Sequence, residues 1–173
     1  MRNNKNYLKL DDEQVLDLIQ KIKGTKDNDT EASTNLNKFA TLVGSQRKQK
    51  INLLKKDFSS IEALKGKDVL CQIVKNNQEI SIIVDSNDPP ARQRFVIAQE
   101  LGILAQKPKV KNRYVYLSDL NKNDAFASEV LMPKASVKKM YNDGVTPLDM
   151  ANTFGVSVPT INHRISKIIK GNY

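Results

Sequence analysis

Three sets of side chains in this 173-residue sequence have types and spacing that suit chemistry, and each is incomplete. The first centres on Glu100, a carboxylate within Arg94-Phe-Val-Ile-Ala-Gln-Glu-Leu-Gly-Ile103. Read as a helix, this stretch turns Phe95, Ala98, Leu101 and Gly102 to one side and sets Gln99, Glu100 and Ile103 along the flank. A zinc hydrolase built on one helix needs two histidines at i and i+4, one turn apart on one face, to grip the metal. The chain has a single histidine, His163, so a two-histidine site is excluded outright. Without a metal to acidify water, a lone glutamate cannot generate the hydroxide-like nucleophile that amide hydrolysis demands.

The second candidate is Cys71, which lies in an apolar run far from any catalytic-looking partner and reads as a buried strand residue. A nucleophile is the alternative for it. The third is a polar set near the C-terminus: Ser157, Thr160, Asn162, His163, Ser166, Lys167 and Lys170. On a recognition helix, Asn162 would suit an adenine edge, and Lys167 and Lys170 would meet phosphates. As a protein-contact face, the same residues would touch a partner, and His163 reads as a partly exposed surface residue.

Several elements must position these groups. Asp11–Lys23 has an apolar stripe at helical spacing behind an acidic start, with Gly24 to end it. A second helical region is expected over Glu31–Lys56, with a break near Gly44. Its second half, Arg47–Lys56, carries five positive charges and reads as a solvated helix face, with phosphate contact as the alternative. Ser59 and Ser60 suit the cap of a short helical turn through Leu64. Strands are expected over Asp68–Val74 and Glu79–Val84, joined by a turn at Asn76-Asn77 whose residues tolerate positive φ. The proline pair Pro89-Pro90 then opens a helix over Ala91–Ala105. Tyr114–Leu117 reads as a short extended piece, and helices follow over Asn121–Leu131 and Ala135–Tyr141. Finally, Thr146-Pro147, Ala151, Gly155, Ser157 and the stripe Ile161, Ile165 and Ile168 have the spacing of a helix-turn-helix.

Composition sets the outer bounds. Apolar residues make up 39% and charged residues 27%, and no apolar run approaches the length of a membrane span. The polar N-terminus lacks the apolar core of a secretory signal, and one cysteine fits a reducing cytoplasm. The formal charge of +9 favours an anionic partner, nucleic acid or an acidic protein face; a charged but idle surface is the alternative.

The Arg94–Ile103 stretch resembles the active-site helix of the ImmA/IrrE family of zinc metallopeptidases, which reads R-F-(T/S)-(L/I)-A-H-E-(L/I)-G-H. Phe126-Ala-Ser-Glu-Val-Leu-Met-Pro133 resembles the same family's F-A-x-x-L-L-M-P block, and Ala151–Ser157 its terminal A-x-x-F-x-V-S segment. The three blocks occur in the family's order over roughly residues 60–170. Under this resemblance the two zinc histidines fall on Gln99 and Ile103 and the third ligand on Leu120, with Asp119 one residue out of register. The catalytic glutamate is kept as Glu100. It is explained either by a retained peptide groove or by a helix-surface glutamate paired with Arg92 or Arg94.

The resemblance implies an α+β, predominantly helical fold. It divides into an N-terminal helical region (1–58), a metallopeptidase-like core with a small β-hairpin or sheet (59–135) and a helix-turn-helix-like segment (136–173). It further implies a catalytically inactive regulator of a prophage or mobile element, without metal or other cofactor. Such a regulator would bind a helix-turn-helix repressor in the cytoplasm and modulate transcription without cleaving it. Direct DNA binding through the C-terminal segment is the alternative, and an active zinc peptidase the weakest reading.

Overall fold

The basic run Arg47–Lys56 does not continue a helix. In the computed structural model, which describes residues 35–107, 109–117 and 124–169 together with Asp17, helix α1 (Leu36–Arg47) stops at its start. A strand, β1 (Lys50–Lys56), follows at once. Asn35 caps α1, its Oδ1 accepting from the Asn37 and Lys38 amides at 3.0 and 3.2 Å. Lys48 ends it in the left-handed region at φ 53°. Gly44 permits the reversal rather than breaking the helix: a Cβ there would lie 2.6 Å from the Gln49 carbonyl oxygen. The helix expected over Asp11–Lys23 lies outside the described residues, apart from Asp17, which is helical.

β1 pairs in parallel with β3 (Glu79–Asp85), setting Leu53 against Ile82. β2 (Val69–Lys75) runs antiparallel to β3 on its other side and also to β4 (Arg113–Tyr116), giving a four-stranded sheet ordered β1-β3-β2-β4. The β2–β3 turn falls where the sequence places it but by another device. Neither asparagine takes positive φ; instead Asn76 Oδ1 accepts from the Gln78 and Glu79 amides at 2.9 and 2.7 Å. The expected serine cap is also replaced, since Ser59 and Ser60 bond back to Asp57. The short 3-10 turn Glu62–Leu64 then has no side-chain cap.

Helix α2 (Pro90–Gln106) begins with Pro90 in its first turn, where a missing N–H costs nothing. It packs against α1, β3 and α3 (Asp124–Leu131) and is buried from Val96 to Leu104 around its whole circumference. The Arg47 guanidinium closes its far end, donating to the Leu104 carbonyl at 2.6 Å and to that of Lys107. A cation there complements the helix dipole.

Three further helices complete the chain: α4 (Lys134–Asn142), α5 (Pro147–Phe154) and α6 (Val158–Ile169). Thr146 caps α5 and Gly155, at φ 64°, turns the chain into α6. Fully buried Phe39, Phe126, Phe154, Leu101, Ile82 and Ile161 belong to one main core, and Phe58, Leu64 and Val69 form a smaller cluster of their own. Burying each such side chain contributes about 1.5–3 kcal/mol relative to exposure. α1 and β1, on the N-terminal side of the expected boundary at residue 58, share that core, as does α6 beyond residue 136. The fold is α+β and dominated by helix.

Candidate functional site

Glu100 is not a surface residue. Its position follows from its neighbours, because Val96, Ile97, Leu101 and Leu104 stand one turn away or adjacent on a helix that is buried all round. Only 3% of Glu100 is exposed. A carboxylate in that setting requires a partner. Arg92 pairs with Asp88 at 3.1 Å, and Arg94 reaches the Phe154 carbonyl at 3.5 Å. One partner of Glu100 is Arg113 on β4, whose guanidinium donates to Glu100 Oε2.

Cys71 completes this buried group. It is fully buried on β2, as expected, and sits opposite Val84 and Val115. It is not remote from charged groups, however. Burial pushes its thiol pKa well up, the Glu100 carboxylate adds to the rise, and Arg113 and a backbone hydrogen bond from Ile83 oppose it. The thiol therefore stays protonated, in the inert form.

The positions on which the family resemblance sets the two zinc histidines lie along the same helix. Gln99 and Ile103 are 5% and 8% exposed. Gln99 is a neutral amide and Ile103 has no donor atom, so the two do not fit a zinc ion. Leu120, which has no donor either, lies outside the described residues, as does Asp119. Among the described residues no group of three or more His, Cys, Asp or Glu is placed to hold a metal.

The C-terminal candidates divide differently. Ser157, Thr160, His163 and Lys167 line a cleft of about 500 Å³ between α6 and the first half of α2, closed on a third side by Ser128 of α3. Asn162 is exposed and Ser166 half-buried; neither lines the cleft. Lys170 lies outside the described residues. Ser157 caps α6, its Oγ accepting from the Thr160 amide at 3.3 Å.

One residue of the cleft lining, Arg164, is not singled out by the sequence. Arg164 is 6% exposed, donates through Nε to the Met132 carbonyl at 3.1 Å and pairs with Glu129. Glu129 Oε1 also accepts from the Lys134 amide at 3.1 Å. The pair pins α6 to the Phe126–Pro133 block. The signal was present, since Arg164 stands on the apolar stripe between Ile161, Ile165 and Ile168, where a charge must find a partner.

Residues 47–166 match the model of the IrrE N-terminal-like domain, a peptidase family. The chain belongs to this family. The matched span runs from β1 through the Glu129–Arg164 pair, so the IrrE-like domain takes in the sheet, the central helix and most of α6. A Mycobacterium tuberculosis transcriptional regulator is similar in structure, with 16% identity and a TM-score of 0.49. The match covers 91% of this chain and 52% of that one, so the IrrE-like chain spans about half the length of that regulator. No curated protein matches the sequence. Among the described residues, no helix is long and apolar enough to cross a membrane.

Proposed function

We propose that this IrrE-like chain is a pseudo-peptidase: a regulatory protein, of a prophage or mobile element, that binds a helix-turn-helix repressor and alters transcription without cutting it. The observation that carries the reading is the state of the central helix. The two ligand positions hold Gln99 and Ile103, and Glu100 is consumed by a buried ion pair with Arg113. A glutamate so engaged is a strut between α2 and β4, held away from the role of general base. Antirepression requires only unequal affinity for the repressor's free and DNA-bound states, because a ligand shifts an equilibrium by its differential affinity alone. The net charge of +9 would speed encounter with an acidic patch on the partner.

The test joins the purified chain with the repressor encoded beside it. Complex formation, release of the repressor from operator DNA and an unchanged repressor mass support the reading. A cleaved repressor, or one whose operator affinity is unmoved, defeats it.

Direct DNA binding is the second reading, supported by the α5–Gly155–α6 turn and the exposure of Asn162 and His163. It is disfavoured because Ser157, Thr160, His163 and Lys167 line a cleft against α2, where a duplex groove needs a projecting face. Sequence-selective, steeply salt-dependent gel shifts would reverse this preference.

A further inference from the structure

The cleft between α2 and α6 has the make-up of a recognition site. Its volume of about 500 Å³ falls within the usual range for ligand-binding clefts and exceeds any one side chain. Phe95, Val96 and Val156 supply an apolar floor. Arg92, His163, Arg164 and Lys167 stand around it, and among the described residues no Asp or Glu lines it. Arg92 spends one of its five N–H donors on Asp88 and is 46% exposed along its side chain. The walls are rigid for stated reasons: α6 is clamped through Arg164 to Glu129 and Met132, and α2 is the buried centre of the core.

We infer that this cleft seats an acidic amphipathic segment of a partner protein, which inserts large apolar side chains over Phe95, Val96 and Val156 and sets carboxylates against Arg92, His163 and Lys167. Two observations choose this occupant. Asp88 and Glu129 pair with Arg92 and Arg164 from outside the lining, which leaves the remaining donors of Arg92 and the Lys167 ammonium to face an occupant, so an anionic flank is complementary and a cationic one is repelled. The floor is apolar, so phosphate alone would leave it unfilled, whereas apolar anchors on one helix face would bury it. This deepens the repressor-binding proposal by naming a contact surface on this chain, and it rests on that reading only for the identity of the partner.

The probe is a phage-displayed library of random 16-residue peptides, selected against the full chain and resynthesised as fluorescent peptides for anisotropy titration. The expected winners combine Leu, Phe or Tyr at i, i+4 spacing with Asp and Glu. Their affinity should fall at least tenfold in Lys167→Glu and in Ala91→Trp, which fills the cleft, and stay unchanged in Lys138→Glu on exposed α4. Circular dichroism confirms that each variant is folded. If no peptide is selected, or if the winners bind both cleft variants as well as the parent, the inference is overturned. Winners without acidic residues overturn it as well. A parent chain that is dimeric in light scattering and monomeric as Ala91→Trp assigns the cleft to a second copy and also overturns it. A repressor that binds parent and cleft variants equally removes the cleft from that complex and leaves the regulatory reading standing. A repressor that binds neither defeats the regulatory reading while the peptide result stands.

Discussion

At the scale of single residues, the Glu100–Arg113 pair decides most. Removing one member of a buried ion pair strands a charge and costs about 3–5 kcal/mol, whereas replacing both by apolar groups is often neutral. Arg113→Leu should therefore destabilise the fold by about 3 kcal/mol in urea titration, and Glu100→Leu with Arg113→Leu by clearly less. Equal losses in single and double variants would show that the pair is not coupled. Cys71 gives a second test. Its thiol is buried with a raised pKa, so labelling by a disulfide reagent should proceed only at the rate of unfolding. The folded chain holds the Cys71 proton to higher pH than the unfolded chain, whose thiol titrates near about 8.5. The contribution is intact below that pH and is lost as pH rises towards the raised native value, so urea midpoints should decline above about pH 8.5. Replacing Cys71 by Ala should flatten that decline.

At the scale of elements, α6 and its turn are the sensitive parts. Gly155 sits at φ 64°, and a Cβ there would meet Arg94 Nε at 2.9 Å. Gly155→Ala should cost about 1–2 kcal/mol by the left-handed strain alone, read as a lower melting temperature. Arg164→Met leaves Glu129 without its cation, and amide exchange should quicken in α6 before it does in β2 and β3. Uniform quickening across the sheet would show that α6 does not open independently.

Element positions were legible in the sequence where the signal is local. The proline start of α2, the Thr146 cap and the Gly155 turn follow from single residue types, and β2 and β3 from apolar runs. β1 was not legible in this way. Its ladder partner β3 lies beyond an intervening strand, and Arg47–Lys56 alone shows only charge and scattered aliphatics. Strand identity here comes from pairing, which no local window contains. The ion pairs failed for the same reason. Arg113 reaches Glu100 across a loop, and Arg164 reaches Glu129 from 35 positions away, while the sequence reading searched beside Glu100 on its own helix. The buried setting of both charges was nevertheless written in the apolar residues one turn on either side.

At the scale of the molecule, the family match covers residues 47–166, and the core it encloses also recruits α1. With Gln99 and Ile103 at these two positions of the helix, elemental analysis of the purified chain should find zinc far below one per molecule. Stoichiometric zinc that survives chelator would sink the pseudo-peptidase reading. Restoring both histidines, Gln99→His with Ile103→His, should still leave weak zinc binding. Two ligands fall short of the three that a catalytic site uses, and Leu120 adds none.

β1 has one further consequence. Among the described residues it is one of the two edge strands of the sheet, with β4 at the other side, and an open strand edge is a template on which other chains can add. Lys50, Lys55 and Lys56 belong to this edge strand and are exposed, Lys50 lying 3.7 Å from Glu79 of β3. Lysines so placed repel a second copy of the same edge and keep the sheet from growing outward. Charge on an edge strand favours colloidal stability, so acetylating these lysines should turn a clear solution turbid without first melting the fold.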